Sequence, residues 1–264
     1  MGLFVLCCFF ILVTRAQAPT GAASSTPASS GIPASVTAGK VLYERKVNMR
    51  RRITDENMKN MVPEFAVSKT ELNFSGDEST YQNVKEEEDV RDQAGGEFGN
   101  GNRIFMKMGG GDACTYRNYS TGQMTEQRQM GPKKYLIEDT LRRIGWRLQE
   151  DTMTIRGFLC RKATATDRQG NPIIAWYTED IPVSCGPETF GGLPGLILSL
   201  DINNAEIRYT PISLTPGDPA KDRVHAPKDG KKITRKEFQQ MMQEQYGVKP
   251  GEGGLQFRIF RDGN

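Results

Sequence analysis

A succession of short β-prone segments, separated by turn residues and never alternating with helices, constrains this chain more than any other feature. Residues 41–47 (Val-Leu-Tyr-Glu-Arg-Lys-Val) and 69–75 (Lys-Thr-Glu-Leu-Asn-Phe-Ser) interleave apolar and polar side chains, as half-buried strands do. Residues 103–108 stop at Gly109-Gly110-Gly111, and residues 113–118 turn through 120–123 into 124–130. Residues 152–164 read as one strand that meets 172–177 across the turn at 167–171. Residues 196–200 and 206–210 form another pair around Asn203-Asn204. Serial hairpins of this kind build an antiparallel meander, and without βα alternation there is nothing to carry a parallel sheet. The expectation is a mainly β fold: a single antiparallel sheet, curved or half-barrel-like, with one C-terminal helix packed on it.

That helix has a clear start. Thr234-Arg-Lys-Glu237 is a capping box, in which the Thr and Glu side chains satisfy amides of the first turn. Phe238, Met241, Met242 and Gln245 follow at helical spacing, and Gly247 and Pro250 stop the run, which predicts a helix over 234–245 with an apolar stripe on the sheet. The spacing of Ile137, Leu141, Ile144 and Leu148 is also helical. Gly145 and the strand-like Trp146-Arg147-Leu148 argue instead for strand, turn, strand, because glycine costs a helix about 1 kcal/mol relative to alanine.

The ends differ in texture from the middle. Residues 3–13 are eleven consecutive apolar residues, too few to span a bilayer, followed by small residues at Thr14 and Ala16. This predicts a signal peptide over 1–16 with cleavage after Ala16, and therefore export. Residues 17–38, rich in Pro, Ser and Ala, have little to bury and are expected to form a disordered leader. A single β-rich domain over 39–264 follows, interrupted by a flexible acidic and Gly-rich loop at 85–101. No transmembrane span is expected in the mature chain.

Several kinds of chemistry are missing from the sequence. The formal charge of +3 among 264 residues is no nucleic-acid footprint, so no nucleic-acid partner is expected. One His, His225, excludes multi-His zinc sites, and its position in a loop before the capped helix suits a surface side chain. No nucleotide-binding glycine motif, zinc-protease motif, nucleophile elbow or calcium loop is present. Cys114, Cys160 and Cys185 lie beyond the signal at spacings unlike any metal or redox motif; one bridge plus one thiol, or three buried thiols, fit equally. The reading is a non-enzyme without a cofactor or a metal.

The most distinctive stretch runs from Ala175-Trp176-Tyr177 through Pro187 and Phe190 to Gly192-Leu193-Pro194-Gly195-Leu196-Ile197. Prolines fix backbone angles, glycines permit sharp reversals, and Phe190, Leu193, Leu196 and Ile197 supply apolar bulk. A loop this apolar either tucks against the sheet or meets a partner. Trp176, Tyr177, Pro187, Phe190 and Gly192 to Ile197 are accordingly the candidate contact residues, and the loop is expected to be rigid and to fold back on the sheet as its main duty.

Gly192-Leu-Pro-Gly-Leu-Ile197 resembles the signature of the GLPGLI family of Gram-negative envelope proteins. The resemblance extends to 69–74, 135–139, 144–146, 155–163, 175–178 and 230–238, roughly residues 40 to 245. It implies an exported β-rich protein, periplasmic or outer-membrane-associated, of a kind often encoded near TonB-dependent outer-membrane receptors, and it carries no catalytic residues. Two functions follow as expectations: a non-catalytic envelope protein that binds a partner such as a TonB-dependent transporter, or a periplasmic carrier of an apolar ligand or lipid within a sheet cavity.

Overall fold

The computed structural model describes residues 36–53, 56–84, 97–98, 102–105, 113–130, 132–217, 223–246 and 258–260. The predicted signal (1–16) and almost all of the leader lie outside them. The chain joins the fold at Val36, which is buried, and Thr37, whose carbonyl accepts a 2.8 Å hydrogen bond from the Gly76 amide. The predicted loop at 85–101 also lies outside the described residues, apart from 97–98.

The elements in chain order are β1 (Ala38–Asn48), α1 (Glu56–Met61), β2 (Phe65–Ser75), β3 (Glu78–Asn83), β4 (Glu97–Phe98), β5 (Asn102–Phe105), β6 (Cys114–Asn118), β7 (Gln123–Met130) and β8 (Lys133–Thr140). After them come β9 (Arg147–Ile155), β10 (Phe158–Thr166), β11 (Pro172–Thr178), β12 (Leu196–Ile202), β13 (Ile207–Pro216), β14 (Lys231–Thr234), α2 (Arg235–Tyr246) and β15 (Arg258–Phe260). Twelve strands form one sheet in the order β14-β8-β7-β6-β3-β2-β1-β13-β12-β11-β10-β9. The fold is mainly β, as the hairpin signals predict. Three features depart from the expected meander. The chain enters at the middle of the sheet and builds outward on one side before continuing from the far edge. Strand β14 pairs with β8 in parallel. A separate three-stranded sheet holds β15, β5 and β4, and the short helix α1 joins β1 to β2.

The order of strands dictates the shape. From β8 to β9 the sheet takes ten strand-to-strand steps, which would cover about 48 Å if flat. Only residues 141–146 connect the two strands, and seven Cα steps reach at most about 25 Å. The sheet must therefore curl until its two sides face each other. The connection itself is not helical, as the glycine at 145 predicts, and it turns tightly where the Trp146 amide donates to the Ile144 carbonyl at 2.9 Å.

Cross-strand register identifies the inner face. Tyr43 pairs with Thr70, Val41 with Leu72 and Gly39 with Phe74. Leu72 lies opposite Tyr81, Tyr81 opposite Thr115, and Ser79 opposite Arg117. On the other side Arg45 pairs with Tyr209, Leu200 with Tyr209, Ala175 with Leu200, and Ala163 with Ala175. Residues directly opposite share a face, and nearly all of these are buried.

Residues 152–164 are two strands rather than one. They fold at Arg156 (φ 52) and Gly157 (φ 85), the paired positive φ angles of a tight hairpin turn. The capped helix stands where its box places it: the Thr234 amide donates to Glu237 Oε2 at 2.8 Å, and the Glu237 amide donates to Thr234 Oγ1 at 3.2 Å. It lies over β7 and β8, with the Phe238 ring edge-on to Tyr135 at 6.3 Å. Arg235 bridges Glu126 at 2.6 Å and Asp139 at 3.2 Å. Phe238, Met241 and Met242 are half-buried.

Candidate functional site

Residues 179–195, between β11 and β12, form a strap laid into the curl of the sheet. Leu193, Leu196 and Ile197 are 1%, 0% and 0% exposed, and Pro187 and Gly195 are buried. Complete burial of the three aliphatic side chains contributes roughly 1.5–3 kcal/mol each. Of the other candidate contact residues, Tyr177 is buried and Trp176 and Phe190 are half-buried; only Gly192 and Pro194 are exposed. The loop thus folds back on the sheet, as its apolar content predicts.

Glycine is required in the strap for two different reasons. Gly192 has φ +83, a conformation that L side chains rarely adopt. Gly195 needs no special φ; a Cβ there would stand 1.9 Å from the Thr178 carbonyl oxygen. Close approach of two backbones excludes any side chain at 195.

Three donors from distant parts of the chain hold the strap and the start of β12 that follows it. Arg117 Nη2 donates to the Gly186 carbonyl at 2.7 Å and Nη1 to the Phe190 carbonyl at 3.0 Å. Trp146, in the β8–β9 connection, donates through Nε1 to the Gly191 carbonyl at 2.9 Å. The Tyr43 hydroxyl donates to the Ile197 carbonyl at 2.5 Å. Arg117 is fully buried, and its Nε has no hydrogen-bond partner among the described residues. A buried cation held by carbonyl oxygens is expensive unless the geometry is good, so these bonds mark a constrained junction.

Beside it lies a polar cluster that the sequence did not reveal. Arg45 Nε donates to the Tyr209 hydroxyl at 3.0 Å and lies 3.4 Å from Glu188 Oε1, and the Tyr209 hydroxyl donates to the same carboxylate. Burial works against the Arg45 charge, yet Tyr209 and Glu188 more than offset it and raise its pKa. Burial pushes the Tyr43, Tyr81 and Tyr209 hydroxyls above their usual range and Tyr119 up to about 12. All four are neutral donors at ordinary pH. Arg45 and Arg117 occupy inward positions that period-two alternation assigns to the core, and that parity is the only signal the sequence offered for them.

The three cysteines among the described residues, Cys114, Cys160 and Cys185, are free thiols. Burial pushes Cys185 up to about 12 and Cys160 to about 11, and it raises Cys114 as well. None is a thiolate near neutral pH, so none is a ready nucleophile. His225 is an exposed loop residue. Among the described residues, no group of three or more His, Cys, Asp or Glu could hold a metal ion, and no helix is long and apolar enough to cross a membrane.

One β edge is bare. Every residue of β9 from Arg147 to Thr154 is exposed, and Leu148 and Met153 are 58% and 43% exposed. Leu159, on the paired strand β10, is 56% exposed.

The architecture has a counterpart among solved structures. The chain aligns with PNGF-II in two crystal forms at a TM-score of 0.53 and 14% identity, over 80% and 79% of its own length. It spans only about a third of PNGF-II, 34% and 33%, and at that identity the likeness concerns the fold alone. An uncharacterised conserved protein from Thermus thermophilus aligns over 76% of this chain and 91% of its own, at a TM-score of 0.41 and 7% identity. No curated protein matches. A family described as "Protein of unknown function (Porph_ging)" matches residues 168–199, the stretch that contains β11 and the strap.

Proposed function

We propose that this chain is an exported, non-catalytic envelope protein that acts by binding another protein, and that contact is made by the β9–β10 hairpin rather than by the Gly/Pro strap. The observation that carries this reading is the contrast between the two segments. Leu193 of the strap and Leu196 and Ile197 at the start of β12 are spent on the interior, whereas Leu148, Met153 and Leu159 stand exposed on an edge hairpin. Exposed apolar groups beside unpaired strand backbone are a common docking feature. Neutral thiols and a lone exposed His225 favour a non-catalytic role. The resemblance to exported envelope proteins supports a partner in the outer membrane, with a TonB-dependent transporter as the first candidate. The carrier reading has less behind it, since the strap fills the curl where an apolar ligand would lie.

Recovery of partners from cross-linked membranes tests the proposal. Leu148→Asp and Met153→Asp are expected to abolish recovery of a partner that the parent captures, without lowering the melting temperature. Recovery undiminished by both variants would refute the hairpin as the contact. Lipid copurifying in stoichiometric amount would favour the carrier instead.

A further inference from the structure

Glu188 is the one acidic side chain of the strap that reaches the Arg45–Tyr209 pair, and it does so from a left-handed backbone at φ 50. Non-glycine residues keep such a conformation where the surroundings over-determine it, commonly at binding sites. Its carboxylate meets the guanidinium of Arg45 and the hydroxyl of Tyr209. Beneath them lie the Tyr81 hydroxyl, on a residue 7% exposed, and Thr70 Oγ1, on a residue 0% exposed. Tyr81 faces Glu188, Arg45, Thr70 and Tyr209, and its hydroxyl approaches those of Thr70 and Tyr209 without a well-formed hydrogen bond to either. Buried hydroxyls in native proteins ordinarily find partners.

One guanidinium, two phenols and a threonine hydroxyl form a receptor for a carboxylate, because charge-assisted bonds from Arg and O–H donors to an ionised acid are the strongest hydrogen bonds such groups make. We propose that Arg45, Tyr209, Tyr81 and Thr70 are a binding site for an external carboxylate, and that Glu188 occupies it as an internal stand-in. Two features distinguish this from an ordinary ion pair. The Glu188 side chain is 38% exposed, whereas that of Arg45 is 19% exposed, so the acid enters from the solvent side and can leave by the same route. Glu188 also makes no hydrogen bond to Tyr81 or Thr70, and an acid with a second polar group would reach them. The ligand class is a small dicarboxylic acid or an acidic side chain of a bound peptide. The inference does not depend on the hairpin contact proposed above.

The test uses the full chain with two probes, glutarate and a capped pentapeptide bearing one central glutamate, titrated calorimetrically. Glu188→Gly removes the internal competitor and relieves the left-handed backbone; Glu188→Gln keeps the side-chain shape and removes the charge. Both variants are expected to bind at least one probe about tenfold or more tightly than the parent. Adding Arg45→Met to Glu188→Gly is expected to remove that gain. Tighter binding of glutarate identifies a free acid, and tighter binding of the peptide identifies an acidic segment of a partner. The proposal is overturned if neither variant binds either probe better than the parent, or if Arg45→Met leaves the gain intact. Thermal unfolding of both variants runs alongside; loss of the fold in both would make Glu188 a structural residue and overturn the proposal equally.

Discussion

Arg117 donates to the carbonyl of Gly186 at 2.7 Å although five strands separate β6 from β11 in the sheet. The bond runs across the curl rather than along the sheet. It ties the half of the chain that builds outward from β1 to the half that returns from the far edge. With Trp146 donating to Gly191, it makes the strap a common support for both halves and for the connection between them. Disturbing the strap should therefore affect the whole domain.

Gly195→Ala tests that role directly. A Cβ placed 1.9 Å from the Thr178 carbonyl forces the strap away from β11, and overpacking of this kind costs about 3 kcal/mol. Gly192→Ala meets open space and incurs only backbone strain at φ +83, about 1 kcal/mol. Thermal or urea unfolding of the two variants should rank 195 well below 192. The reverse order would show that the strap yields easily.

Leu193→Ala and Leu148→Ala form a second contrast. Leu193 is 1% exposed, and truncating a buried leucine costs about 2–5 kcal/mol. Leu148 is 58% exposed, so its truncation should change stability by no more than about 0.5 kcal/mol. Equal losses at the two positions would mean that the β9 edge is covered in solution.

Acid should loosen the α2 end of the sheet. Burial alone would raise the Glu126 pKa, but Arg128 and Arg235 overcome it and hold the carboxyl below its usual value. A depressed folded pKa stabilises the protein above the unfolded value near 4.5, and the benefit is lost as pH falls through the lower folded value. Melting temperature should thus drop below about pH 4.5, and Glu126→Gln should flatten that drop while lowering stability at pH 7. An unchanged acid limb in Glu126→Gln would place the sensitivity elsewhere.

Thiol reactivity offers a check on the interior. With Cys160 near 11 and Cys185 near 12, the folded protein at pH 8 should react slowly with a disulfide reagent at both positions. Unfolding in guanidinium should release both at the rate of free cysteine. Fast labelling of Cys185 in the native state would show that the strap opens.

Local chemistry was legible where neighbours in sequence decide structure. Thr234 and Glu237 cap the helix as their spacing requires, and Gly145 keeps 141–146 out of a helix. The fold-back of Leu193, Leu196 and Ile197 follows from apolar side chains set among prolines and glycines. The hairpin at Arg156-Gly157 was missed because Arg is a poor advertisement for positive φ. The parallel pairing of β14 with β8 was missed because it depends on a long connection rather than on a turn.

The sequence by itself determined the β character, the capped helix and the inward fold of the strap, since each rests on periodicity, turn residues or apolar content within a few residues. Only the tertiary structure decided that Arg117 would meet Gly186, and that Glu188 would meet Arg45 and Tyr209. These pairs are 69, 143 and 21 residues apart in the chain. They come together because six connecting residues force a twelve-stranded sheet to curl. Contacts across a curl depend on strand order, which local preferences do not encode.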